Sequence, residues 1–145
     1  MNLFSFLNSI QKLISEQKLR VWKAIEPVPF TAVTRESSSV CLIPQNFNSI
    51  SPEESSGGRL GTFNFKARIY VQPKNDIAGE SAIKEFYSNF AGKILDALCG
   101  VGAQGDNVFQ SPIFLTGISQ PQWIFNEKGD FFRYIDLSFQ VRIGL

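Results

Sequence analysis

Four groups of residues in this chain have types and spacings that could carry chemistry. Gly100, Gly102 and Gly105 match the GxGxxG phosphate-binding turn. That turn works when a strand precedes it and a helix follows, so that the helix N-terminus meets a pyrophosphate. Here a helical pattern precedes it and extended chain follows, so the glycines read as the stop of a helix. No Gly-Lys-Ser/Thr phosphate loop is present. The second group is acidic: Glu53 with Glu54, and Asp130 with Asp136, are the nearest approach to the paired carboxylates of a glycosidase. Glu53 and Glu54 sit in a polar run with nothing to raise a pKa, and Asp136 falls on the polar side of a strand pattern. Both read as solvated charges.

The third group is nucleophilic and metal-binding. The chain has no histidine. That removes the commonest base near neutral pH, the Ser–His and Cys–His pairs, and the commonest zinc ligand. Cys41 and Cys99 are remote in sequence and cannot make a four-ligand site by themselves; they read as two free, buried thiols in a reducing cytoplasm. No catalytic residue, cofactor or metal is expected, and the chain is expected not to be an enzyme. The fourth group is cationic and aromatic. Lys66 and Arg68 share the polar side of one strand pattern, Tyr134 and Arg142 that of another, and neighbouring strands would join them into a patch. Such a patch is either an ordinary solvated sheet face or a surface for a subunit or nucleic acid. Trp22 and Trp123 read as core or interface anchors.

The elements that position these residues are legible from periodicity. In Phe131–Ile143, Ile135, Leu137, Phe139, Val141 and Ile143 alternate with Tyr134, Asp136, Ser138, Gln140 and Arg142, the pattern of a long half-buried strand. Phe63–Gln72 alternates in the same way. Leu3, Leu7, Ile10 and Ile14, widened by Phe6 and Leu13, predict an amphipathic helix from about Asn2 to Ile25, continued by Trp22 and stopped by Pro27 and Pro29. Lys12, Lys18, Arg20 and Lys23 also permit a membrane-surface helix, which Glu16 and Glu26 dilute. This first segment lacks the features of a signal peptide or a membrane span. Phe30–Thr34 and Val40–Ile43 read as short strands joined by a turn at Arg35–Ser39. Residues 44–61, rich in Asn, Ser, Pro and Gly, read as a long mobile loop or an arm that orders on a neighbouring subunit. After a turn at Pro73–Asp76, a second helix is predicted over Ser81–Leu98, burying Ile83, Phe86, Tyr87, Phe90, Ile94, Ala97 and Leu98. Ser111–Ile118 and Gln122–Phe125 read as strands, the latter joined to the last by a hairpin loop at Asn126–Asp130.

The sum is one α+β domain over 1–145: a mainly antiparallel sheet with an N-terminal helix and a second helix packed on one face. The 14 phenylalanines read as a ring-rich core, with some rings facing a partner. A net charge of +1 gives no surplus for binding phosphates strongly.

This layout resembles the tail terminator and tail-completion proteins of tailed bacteriophages. The resemblance lies in the order of an amphipathic helix (Leu3 to Ile25), an early strand region (Phe30 to Ile43), a long loop (Pro44 to Gly61), the strand FNFKARIYVQ, a helix (Ile83 to Leu98) and a final strand YIDLSFQVRI. It implies a virion protein, assembled in the host cytoplasm, that forms a ring, typically a hexamer. Such a ring caps the tail tube, meets the neck and in contractile tails the sheath, and lets DNA pass without specific binding. It implies no cofactor and no membrane. On that reading Arg59, Lys66, Arg68, Tyr134 and Arg142, with the Asn46–Arg59 loop, are the contact residues. Another neck or head–tail connector component remains an alternative. So does a small ligand- or peptide-binding α+β module with its pocket between sheet and helices.

Overall fold

The computed structural model describes residues 3–17, 20–23, 39–50, 57, 59–71, 83–99, 113–125 and 131–144. In chain order the elements are α1 (Leu3–Ser15), β1 (Arg20–Lys23), β2 (Ser39–Ser49), β3 (Leu60–Val71), a helix α2, β4 (Phe114–Ile118), β5 (Gln122–Phe125) and β6 (Phe131–Gly144). Helix α2 is π-helical over Lys84–Ala91 and α-helical over Gly92–Leu98. The fold is α+β, as the periodicities predict.

The apolar stripe of α1 buries Phe6, Leu7, Ile10, Leu13 and Ile14. The helix stops well short of Ile25. The Glu16 N–H still reaches the Lys12 carbonyl at 3.1 Å, and the Gln17 N–H tightens onto Ile14 at 3.0 Å. Arg20-Val21-Trp22-Lys23 is then a strand parallel to β2. The bulky, partly β-branched run favours extended chain, so the apparent continuation of the helix through Trp22 is a strand entering the sheet.

The strand order is β1-β2-β3-β6-β4, with β5 also paired to β6. Every pairing except β1–β2 is antiparallel. β6 is therefore central, with β3 along one side and β4 and β5 in tandem along the other. β2 is much longer than the predicted Val40–Ile43, because Pro44 does not end it. The register shifts between Pro44 and Phe47, and the strand resumes to Ser49; a bulge is where a strand tolerates proline. Eight of the 18 residues expected as loop at 44–61 are thus sheet, and the two strands are tied by the Ile50 N–H to the Leu60 carbonyl at 3.0 Å. Gly61 lies opposite Ser49. A Cβ there would collide with the Asn48 carbonyl oxygen and lie 2.7 Å from Ser49 Cα, so only glycine permits this approach.

One face of the sheet is the core. Phe63, Phe65, Ala67 and Ile69 of β3, and Ile135, Leu137, Phe139, Val141 and Ile143 of β6, are all buried with α1 and with Ala91, Ile94 and Leu98 of α2. Phe65 is paired with Phe139 in register, and their rings stack at 5.3 Å. Phe6 meets Phe63 edge-on at 5.5 Å and Phe65 at 5.9 Å. The phenylalanine-rich core is real, although Phe4 and Phe114 stay exposed.

Two burial expectations are corrected. Ile83 and Tyr87 are exposed, not part of the buried stripe of α2. The Gly92 N–H bonds to the Tyr87 carbonyl, an i→i+5 closure that adds a residue to the turn. A 3.6-residue periodicity therefore projects the first half of this helix wrongly. Cys41 is buried, but Cys99, at the end of α2, is exposed; neither is in a disulfide. The expectations for Phe30–Thr34, Pro73–Asp76, Gly100–Gly105 and Asn126–Asp130, and for the side chains of Trp22, Phe86 and Trp123, fall outside the described residues.

Candidate functional site

The sheet face away from the helices is built by register. Cross-strand pairing sets Lys66 opposite Ser138, Arg68 opposite Asp136 and Tyr70 opposite Tyr134, while β2 adds Cys41 beside Arg68 and Ile43 beside Lys66. Directly opposed residues share a face and are close enough to touch. Arg68 takes Asp136 with both prongs of its guanidinium: Nε donates to Oδ1 at 2.7 Å and Nη2 to Oδ2 at 2.9 Å. Lys66 Nζ stands 3.6 Å from Oδ2. The Arg68 guanidinium also lies over the Tyr134 ring, 4.2 Å from its centroid, and Tyr70 packs against Tyr134 at 6.1 Å.

These charges are largely withdrawn from water, with side-chain exposures of 12% for Arg68, 16% for Asp136 and 22% for Lys66. Burial works against the Arg68 charge. The Asp136 carboxylate more than compensates, with a smaller contribution from Tyr70, and the guanidinium ends above its ordinary pKa. Burial also pushes the Tyr70 phenol up to about 12, against the opposing pull of Arg68. Asp136 is therefore not the solvated charge its alternation suggests. It is the centre of the patch, and its main chain is gripped as well. The Asp136 N–H donates to Ser119 Oγ at 2.8 Å and its carbonyl accepts the Ser119 N–H at 2.9 Å. Ser119 thereby bridges the gap between β4 and β5.

Of the predicted contact residues, the structure gathers Lys66, Arg68 and Tyr134. Arg142 shares their face but lies opposite Thr62, roughly 20 Å along β6 from Asp136 at about 3.3 Å per residue. It lines a shallow groove of about 430 Å³ with Thr62, Phe114, Gln140 and Val141. Arg59 is exposed just ahead of β3, outside the cluster. Asp136, Tyr70 and Ser119 are the members that strand alternation alone does not single out as contacts. Polar-face parity marks the first two, but Ser119 has no sequence signal.

Beside this face the sheet ends in an apolar flank. On β4, Phe114 is 57% exposed, Leu115 37% and Ile118 42%. The seam between sheet and helices, where a ligand-binding module would hold its pocket, is filled by Phe6 against Phe63 and Phe65 among the described residues. Glu53, Glu54 and Asp130 lie outside the described residues. No group of three or more His, Cys, Asp or Glu able to hold a metal ion occurs among the described residues.

No family model and no curated protein matches the chain. Among solved structures it is similar to a chain of the virion of a native gene transfer agent particle. The TM-score is 0.46 and the sequence identity 22%, over 94% of this chain and 84% of that one.

Proposed function

We propose that this chain is a non-enzymatic structural protein of a virion: a ring-forming subunit that terminates or completes a phage tail tube and joins it to the neck. One observation carries the reading. The charges at the centre of the polar face are spent on each other, Arg68 and Lys66 on Asp136 with Tyr134 stacked beneath Arg68, while apolar side chains are left outside on β4. A catalytic cleft does the reverse, presenting unspent charge to an enclosed space. A face locked by its own cross-strand contacts keeps a fixed shape, and exposed apolar side chains beside a polar rim are the composition of a protein–protein contact.

On this reading the partners are further copies in a ring, a hexamer by the layout resemblance, together with tube, neck and sheath proteins. The near-neutral chain, at +1, lets DNA pass without holding its phosphates. The protein resides in the tail or neck after assembly in the host cytoplasm. The test is to mix the purified protein with tail tubes and follow it by electron microscopy and light scattering. Rings seated on tube ends are expected. A protein that remains monomeric and never binds a tube would overturn the assignment.

A further inference from the structure

Helix α2 closes its turns in two ways along one length, π-helical over Lys84–Ala91 and α-helical over Gly92–Leu98. A π run of this length is rare; π closure otherwise comes as a single-turn bulge, frequently at a functional site. The torsions at its ends are not strained. Ile83 (φ −61°, ψ −46°), Ala91 (φ −60°, ψ −43°) and Gly92 (φ −57°, ψ −45°) all have ordinary α-helical values. The same end residues therefore fit either closure. Gly92, at the junction, is not there for want of space, since a Cβ on it would meet the Tyr87 carbonyl oxygen at 3.5 Å, an ordinary contact. A glycine inside a helix destabilises it, and this one sits where the closure changes.

The side chains of α2 are spaced for the other closure. At about 100° per residue, an α-helix over Ile83–Leu98 would place Ile83 and Tyr87 each within about 20° of Ile94. Both would then lie on the stripe of Phe90, Ala91, Ile94 and Leu98, which packs on the core. Lys84, Ser88, Asn89 and Lys93 would stay on the outer side. In the structure each π turn holds roughly one residue more. Followed back from Ile94, that excess swings Tyr87 and then Ile83 off the stripe, and they stand 37% and 59% exposed. Places where local pattern and structure disagree are where proteins carry function or strain. We infer that α2 is a two-state element. Its π form, the one described above, holds Ile83 and Tyr87 at the surface. Its α form turns both onto the core and hands the Gly92 N–H from the Tyr87 carbonyl to that of Ser88. A neighbouring molecule that covers Ile83 and Tyr87 holds the π form, because it binds that form better. The switch is independent of the ring reading.

Relaxation dispersion on the full chain, read at the Ile83 δ-methyl and at backbone amides, tests it on the μs–ms timescale. Exchange confined to residues 83–92 is expected, with a minor form of roughly 0.1–10%. Ile83→Lys, at an exposed position, puts a charge where the α form would bury it, and lowers the minor population by roughly tenfold or more. Asn89→Lys, at an exposed position that stays outside in both forms, leaves that population unchanged. Absence of exchange at 83–92, or exchange that Ile83→Lys leaves intact, overturns the switch. So does equal loss with both lysines, or an Ile83→Lys protein that fails to fold, since its side chain would then already be buried. None of these results bears on whether the protein seats on tail tubes.

Discussion

Asp136→Leu should be the most damaging substitution on the polar face, and more damaging than Arg68→Met. Asp136 holds two cations, Arg68 by a bidentate pair and Lys66 at 3.6 Å. Removing it strands both in a region where the partners are only 12–22% exposed. Removing Arg68 leaves Asp136 still compensated by Lys66. Breaking one side of a fully buried pair costs about 3–5 kcal/mol; discounted for the residual water here, about 2–3 kcal/mol is expected for Asp136→Leu and about 1–2 kcal/mol for Arg68→Met. In a domain of this size the larger loss lowers the melting temperature by roughly 4–12 °C. The double variant Arg68→Met/Asp136→Leu should cost less than the sum, with a coupling of about 1–2 kcal/mol, because Arg68 is then no longer stranded and only Lys66, the most exposed of the three, loses its partner. Urea unfolding at constant m-value measures all three. Additive losses, or an Arg68→Met protein less stable than the Asp136→Leu protein, would refute the assignment of Asp136 as the hub.

Three further substitutions probe other parts of the molecule. Tyr70 has a folded pKa of about 12 against an ordinary 10.0, so its contribution is whole below pH 10 and is lost as pH rises through about 12, at most about 2–3 kcal/mol. Tyr70→Phe should flatten that alkaline slope and remove a late-ionising component near pH 12 from the tyrosinate absorbance; a titration curve that keeps that component in the variant would contradict it. Phe65→Ala removes the ring that contacts Phe6, Phe63 and Phe139 and should cost about 3–5 kcal/mol by chemical denaturation, with a loss under 1 kcal/mol counting against the packing. Gly61→Ala should destabilise by at least about 1–3 kcal/mol, since its Cβ meets backbone of β2 rather than a flexible side chain; an unchanged melting temperature would show that the β2–β3 approach is looser than described.

The sheet was legible where one face is buried. Ile135 to Ile143 and Phe63 to Ile69 alternate without a break, and a period of two has one reading over that length. The same alternation put Lys66, Arg68, Tyr134 and Arg142 on one face. It could not bring them together, because register is a relation between strands and decides that Arg68 meets Asp136 while Arg142 meets Thr62. Pro44 hid the second half of β2, since proline argues against a strand unless a bulge accommodates it. Trp22 misled because a four-residue strand following a helix can fall in phase with the helix period. The exposed Ile83 and Tyr87 went unseen because hydrophobic spacing assumes i→i+4 closure, which the first half of α2 does not use.

The central position of β6 has a consequence for how the protein is made. β3, β4 and β5 all pair with β6, yet β6 is the last of these strands in chain order. During synthesis residues 60–71, apolar on alternate positions, emerge long before the strand that will cover their second flank. Local closure cannot spare them this wait, because their partner is distant along the chain. The nascent molecule therefore carries an adhesive ribbon until translation nears residue 144, and ribosomes crowded on one message bring such ribbons close together. Any premature stop ahead of Phe131 releases that ribbon for good, so truncated products should collect in inclusion bodies to a greater extent than the full chain.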